Sequence, residues 1–314
     1  MKVLLHYNAG PDWREDMKPL IEKGLEVACC DEADDAAFYA LLPETEVIWH
    51  SLRPIAPGDI AKAPKLRLIQ KIGVGVNTID LEAAKAGNVA VCNMPGSNAQ
   101  AVAEMTLLLM LACLRRLPVI DDAVRRGAGW SLDPAMQDSY GEISGRTVGL
   151  VGMGSIPRAL LLALKGLGAR VVYTAHGPKP DVDAEYRALD DLLAEADIVS
   201  LHVPLTEETA NLLNRGRLAA MRPGAILINT ARGALVDQAA LADALRSGPL
   251  LGAGLDVFAR EPVAPDDPLL GLDNVVLSPH LAWLTKETLA RSLAVAVENC
   301  LRLREGRELF NRVV

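Results

Sequence analysis

Three side chains in the second half of the chain have the types that acid–base chemistry on a small anion requires. Arg232 is a fixed cation, Glu261 an acid, and His280 carries an imidazole, which titrates near neutrality. Each follows closely on a short apolar run: Arg232 after residues 225–229, Glu261 after 253–258 and His280 after 274–278. In a doubly wound parallel sheet, ligands bind outside the carboxyl ends of the strands. Three reactive groups at successive strand ends should therefore converge on one crevice. There the histidine can give or take a proton, and a carboxylate beside it orients the ring and stabilises its protonated form. A guanidinium fork pairs with a carboxylate on the substrate. Any one of the three alone reads more readily as a loop or turn residue; their order and spacing together point to a site. His6, His50 and His202 have no such company and read as structural.

A nucleotide loop is the second signal. Gly152-Met153-Gly154 ends the run 146–151 and leads through Ser155 and Ile156 into a helical stretch at 157–167. The first glycine permits a tight turn, and the second lets the backbone approach a pyrophosphate seated on the helix N-terminus. The third glycine of this fingerprint is replaced by Pro157, whose fixed φ suits a first helical turn but which removes a place for close packing. Where an NAD-specific site carries an acid to hold the ribose 2′-OH, this chain has Ala175 and His176, with Lys179 nearby. Without a carboxylate there is no repulsion against a 2′-phosphate. The reading favours NADP(H), with NAD(H) as the alternative.

These residues need a parallel sheet to position them. Short apolar runs at 2–7, 25–30, 47–50, 66–71 and 89–93 alternate with helical segments such as 13–23 and 81–86. A second set lies at 146–151, 170–174, 198–202, 225–229, 253–258 and 274–278. Between the sets, a long helix from 98 to about 117 is stopped by Pro118, and a polar connection covers 127–145. A final helix, 286–305, has apolar residues near the helical period and can pack on either sheet. The fold class is α/β, with two Rossmann-like doubly wound parallel-sheet domains and a cleft between them.

Bulk composition agrees. A chain of 314 residues holds about two domains. The net charge of −8 gives no support to nucleic-acid binding. Five cysteines lack metal-ligand spacing, so no metal site is expected and the thiols read as reduced. The apolar stretch 107–114 is far shorter than the roughly 20 residues that span a bilayer, and no signal peptide reads at the N-terminus. A cytoplasmic protein acting on a small molecule, with no membrane or nucleic-acid partner, is the expectation.

Several segments match one known pattern in order. They are Gly73-Val74-Gly75-Val76, the stretch Val148 to Gly154, Leu201-His202-Val203-Pro204-Leu205-Thr206, Asn229-Thr230-Ala231-Arg232-Gly233, Leu255-Asp256-Val257-Phe258 through Glu261-Pro262, and Ser278-Pro279-His280. Over nearly its whole length the chain resembles the D-isomer-specific 2-hydroxyacid dehydrogenases. The resemblance implies hydride transfer between NAD(P)H and a small 2-oxo acid to give a D-2-hydroxy acid. His280 would be the acid/base, Glu261 would tune it, and Arg232 would bind the carboxylate. Backbone amides around Val74 and Gly75 would hold the same carboxylate. It implies a dinucleotide groove lined by Gly152, Met153, Gly154, Ser155, Ile156, Ala175, His176, Val203, Pro204, Thr209, Thr230, Ala231, Asp256 and His280. By the same resemblance, residues 99–283 form the dinucleotide-binding Rossmann domain. Residues 1–98 and 284–314 form the flavodoxin-like substrate domain. The helix from residue 98 would mediate a homodimer.

Trp283, three residues past His280, either walls the site for a small acid of the glyoxylate or hydroxypyruvate kind or packs at a hinge or dimer contact. An acid at 261 argues against a formate-dehydrogenase-like site, where glutamine pairs with the histidine. Departures from the family pattern are Asn77 for a common aspartate, Gln100 for a frequent threonine and Ser155 where arginine is frequent. Two other readings are a dinucleotide-sensing binding protein and a same-fold dehydrogenase for another small acid such as phosphite. The intact trio disfavours the sensor, because sensing needs the groove but not the acid.

Overall fold

The computed structural model describes residues 1–314. It divides into two compact units, Met1–Asn98 with Leu284–Val314, and Ala99–Trp283. The first unit holds β1 (Lys2–His6), β2 (Glu26–Cys30), β3 (Val47–His50), β4 (Leu68–Lys71) and β5 (Ala90–Cys92). They pair in parallel in the order β2-β1-β3-β4-β5. Between them run α1 (Pro11–Met17), α2 (Asp35–Leu41), α3 (Pro57–Ala61) and α4 (Leu81–Ala86). Every residue of β3 and β4 is buried, as expected of a parallel sheet covered on both faces. Phe38, Leu42, Ile48 and Ile69 belong to the core beneath the helices.

The second unit opens with α5 (Ala99–Arg115) and α6 (Leu117–Arg125). Then follow β6 (Thr147–Val151), α7 (Ser155–Gly166), β7 (Arg170–Thr174), β8 (Glu185–Tyr186), α8 (Leu189–Glu195) and β9 (Ile198–Leu201). It closes with α9 (Arg215–Ala220), β10 (Ala225–Asn229), α10 (Gln238–Ser247), β11 (Leu250–Leu255) and β12 (Val275–Leu277). The seven parallel strands are ordered β12-β11-β10-β9-β6-β7-β8. Strand order reverses between β6 and β9, the switch point where such sheets open a ligand crevice. One core layer includes Leu201, Leu227 and Leu255, and another includes Leu109, Leu150 and Ile228. The last helix, α11 (Lys286–Glu305), packs on the first unit: Asn299 Nδ2 donates to Gln70 Oε1 at 2.6 Å.

Most strand ends shift by a residue or two from the sequence reading, and four boundaries differ for a local reason. The expected helix at 13–23 ends at Met17 and continues as a tighter helical turn, Lys18–Lys23, with Pro19 lacking the amide a regular helix would use. The long helix stops at Arg115 because Arg116 takes a left-handed φ of 48°; Pro118 then lies in the first turn of α6. Helix α7 starts at Ser155, so Pro157 falls in a first turn whose amides have no intrahelical partners. Strand β11 lies about three residues upstream of 253–258: Asp256, Val257 and Phe258 leave the sheet and become part of the site.

Candidate active site

The glycine loop is built by close approach. Gly152 has φ 103° and donates its amide to Thr174 O at 2.9 Å. A Cβ there would lie 2.6 Å from His202 O and 3.2 Å from Val203 Cγ1, so only glycine lets the ends of β6, β7 and β9 meet. Gly154 starts α7 without a capping side chain, and a Cβ on it would meet nothing within 4 Å. The free amides and positive end of a 12-residue helix thus face open space, which suits a pyrophosphate. Met153 is buried in the core, Ile156 is half-buried, and Ser155 is exposed beside the opening. On the β9 side, Thr209 Oγ1 donates to Pro204 O at 2.7 Å and fixes the 203–209 turn. On the β7 side come Ala175 and an exposed His176; the Lys179 amide donates to Tyr173 Oη at 2.6 Å.

At the ends of β10, β11 and β12, side chains organise the backbone. Asn229 accepts from the Ala231 amide at 3.0 Å and donates to Arg232 O at 2.8 Å, closing the turn that carries Thr230, Ala231 and Arg232. Arg232 Nη1 donates to Ala231 O at 2.6 Å. A Cβ on the next residue, Gly233, would sit 1.9 Å from the Phe258 carbonyl carbon, so this turn rests directly on the backbone leading to Glu261. Glu261 Oε1 accepts from the Phe258 amide at 3.0 Å, and its Oε2 lies 2.7 Å from His280 Nδ1. A carboxylate only accepts, so Nδ1 carries the proton and Nε2 is left to exchange one.

His280 itself has φ 58°, a left-handed conformation uncommon for a residue with a side chain. Its amide donates to Asp256 O at 2.7 Å, while the Asp256 carboxylate accepts from the Leu281 and Ala282 amides at 2.9 Å each. Trp283 is buried and donates its indole N–H to His280 O at 3.1 Å. The turn is thereby held from both sides.

Charge is tuned in the same place. Burial alone would raise the Glu261 carboxyl. The His280 hydrogen bond and charge, the Phe258 amide and the Arg232 charge outweigh it and hold the group below the usual carboxylate range. Burial lowers the Arg232 guanidinium, against the opposing pull of Glu261. Burial raises Asp256, only partly offset by hydrogen bonds from Ser278 and the two amides.

The carboxyl edge of one sheet thus gathers Arg232, Glu261, His280, Asp256, Thr230 and Ala231 at one end of the strand series, and the glycine loop with residues 175–176 and 203–209 at the switch point. Val74 and Gly75 belong to the first unit, on the loop after β4. Val74 O accepts from Asn93 Nδ2 at 2.9 Å. Behind that loop, buried Lys71 donates to Ser51 O, and Thr78 Oγ1 lies 2.9 Å from His50 Nε2. Asn229 and Gly233 stand in the family motif, but the sequence assigns neither a role. Their signal is the spacing Asn-x-x-Arg-Gly at the end of an apolar run, where a side chain must close the turn and the following residue must have none.

A doubly wound sheet with a dinucleotide loop, an imidazole–carboxylate pair and a half-buried guanidinium is the constellation of a nicotinamide-dependent oxidoreductase. The chain belongs to the D-isomer specific 2-hydroxyacid dehydrogenase family, whose NAD binding domain matches residues 107–282. It is 38% identical over 310 residues to a glyoxylate reductase of Aeropyrum pernix, covering 94% of this chain and 92% of that one. It is 40% identical over 273 residues to D-3-phosphoglycerate dehydrogenase of Mycobacterium tuberculosis, covering 85% of this chain but 51% of that longer protein. A crystal structure of a Thermus thermophilus protein, 41% identical, matches with a TM-score of 0.91 over the whole of both chains. The protein is thus an NAD(P)-dependent D-2-hydroxyacid dehydrogenase. No helix is long and apolar enough to cross a membrane.

Proposed function

We propose that the enzyme reduces a small 2-oxo acid of the glyoxylate or hydroxypyruvate kind to the D-2-hydroxy acid, with NADPH as the preferred reductant. The nicotinamide supplies a hydride to C2. His280 Nε2 delivers a proton to the carbonyl oxygen, and in oxidation takes it back. Glu261 accepts from Nδ1–H and so leaves Nε2 as the atom that exchanges a proton. Arg232 binds the substrate carboxylate and polarises the carbonyl, aided by the Val74 and Gly75 amides. The observation that carries this reading is the 2.7 Å His280–Glu261 contact on a strand end adjoining that of Arg232. Support for the substrate class comes from the glyoxylate reductase of Aeropyrum pernix, which matches over nearly the full length of both chains. The preference for NADPH rests on Ala175 and His176, where an acid would repel the 2′-phosphate. Trp283 acts by bracing the His280 turn.

A homodimer through α5 and α6 accords with exposed Leu108, Leu111, Leu117 and Val124 on those helices, and with Trp130, 90% exposed just beyond them. The test of function is consumption of NADPH and NADH in parallel with glyoxylate, hydroxypyruvate, pyruvate and 3-phosphohydroxypyruvate. Faster turnover of glyoxylate or hydroxypyruvate with NADPH is the expected result. Turnover with NADH alone would overturn the cofactor preference, and turnover confined to the phosphorylated acid would overturn the substrate class.

A further inference from the structure

Val74 and Gly75 can hold an anion only if their amides turn the same way. Gly73 O accepts from the Met94 amide at 2.8 Å, and Val74 O accepts from Asn93 Nδ2 at 2.9 Å. Two successive carbonyls are thus drawn to one segment, just past β5. Gly73 permits this with φ 143°, a value that residues with side chains rarely adopt. Both peptides are trans, so each N–H lies opposite its carbonyl. The Val74 and Gly75 amides therefore both face away from residues 93–94. Neither donates to another group of the protein. Successive free amides on one side of a turn make an anion-binding concavity.

The two anchors differ in kind. Met94 donates from the backbone, as almost any residue would. Asn93 donates from its side chain, and because a carbonyl only accepts, that side chain must carry an N–H. The root of Asn93 is itself held. Its amide donates to Asn311 O at 3.2 Å, and residues 311–314 run antiparallel beside β5, with the Val313 amide donating to Val91 O at 2.7 Å. Asn299 of α11 ties down the start of that segment, accepting from the Phe310 amide at 2.8 Å and donating to Phe310 O at 3.1 Å. We propose that Asn93 is a positioning residue: by holding Val74 O it aims the Gly75 amide at the substrate carboxylate and so sets substrate affinity. This inference rests on the 2-oxo acid reading given above. A carboxylate is gripped alike before and during hydride transfer, so a loosened grip shows in KM rather than kcat.

The test is steady-state kinetics with glyoxylate and hydroxypyruvate at saturating NADPH or NADH, whichever turns over faster, alongside dinucleotide binding and urea denaturation. Asn93→Ala should raise KM about tenfold for both acids, the share of a weakened hydrogen bond to a charged group. Its kcat, dinucleotide affinity and urea midpoint should stay near wild type. Asn93→Asp, of nearly the same size, sets an acceptor against the Val74 carbonyl and should raise KM further. Protonation gives that carboxyl an O–H that can donate, so the ratio of its KM to that of wild type should fall as pH drops from about 7 towards about 5. A merely structural role would give no such pH dependence. Should Asn93→Ala fail to fold, Asn93→Asp carries the test through that ratio. Unchanged KM in the variants, or a fall in kcat with KM unchanged, overturns the proposal and leaves the 2-oxo acid reading standing. Wild type that turns over neither acid removes that reading and the inference with it.

Discussion

At the scale of single residues, the site separates charge from geometry, and the two can be removed independently. Glu261→Gln keeps an oxygen that can accept from His280 Nδ1 but deletes the negative charge. Turnover should fall about 100-fold with dinucleotide affinity unchanged, and His280→Ala should fall at least as far. Steady-state kinetics at saturating substrate, with cofactor binding measured separately, decides this; a near-wild-type kcat for Glu261→Gln would remove Glu261 from the mechanism. Arg232→Lys keeps the cation and loses the planar fork, so KM should rise about 10- to 100-fold, the worth of a charged hydrogen bond. A rise in KM no larger than twofold would show that the planar fork is not what binds the carboxylate. These residues were legible in the sequence because the chemistry dictates their types and the fold dictates their order. The turn-closing role of Asn229 was not, because its partners are backbone atoms that only folding brings near. The sequence places Asp256 in the groove, but only the fold shows the Leu281 and Ala282 amides turning back towards its carboxylate.

At the scale of elements, parallel strands were the most readable feature. Buried strands such as β3, β4 and β10 are near-continuous apolar runs, and their bounds are sharp. Helix α11 was equally clear, because its start has the Thr285 cap and its end the left-handed Gly306. Strand β11 was misplaced because Gly252 and Gly254 weaken the apolar signal, although Gly254 is there for contact: a Cβ on it would lie 2.9 Å from Leu109 Cβ. Two-residue β8 left no readable pattern at all. Glycine also sets how the loops of neighbouring strands meet. Gly233 lets the Arg232 turn lie on the Phe258–Ala259 backbone, and neither partner is a flexible side-chain tip that could move aside. Gly233→Ala should therefore cost about 2 kcal/mol or more of stability, as overpacking does, and lower kcat/KM further by displacing Arg232 from Glu261. Urea denaturation alongside kinetics tests both; a variant with wild-type midpoint and kcat/KM would show that the two backbones separate freely.

At the scale of the whole molecule, each unit encloses histidine that its surroundings keep neutral. In the first unit, burial first and then the Arg53 charge lower His6 from 6.5 to about 4, against the weaker pull of Asp59, Asp35 and Asp31. Its ring is stacked on Phe38 at 4.1 Å. His50 is lowered well below 6.5 by burial and by the charges of Lys71, His6 and Arg53. In the second unit, desolvation lowers His202 to about 3, with Ser200 Oγ 2.9 Å from its Nε2. A depressed folded value means that the unfolded chain takes up protons below pH 6.5 that the folded chain refuses. The stability these groups contribute is full above pH 6.5 and is lost as pH falls towards about 4 for His6 and about 3 for His202. Each such proton contributes a slope of about 1.4 kcal/mol per pH unit. Two of the three histidines lie in the first unit, so that unit should lose stability more steeply on acidification. Replacing His6 by Leu, which keeps an apolar contact with Phe38, should flatten the slope by about one proton without changing its sign. Urea midpoints from pH 8 to pH 4.5 give the measurement, because over most of that range few carboxylates take up protons. A slope unchanged in His6→Leu would mean that the His6 ring is already charged in the folded protein.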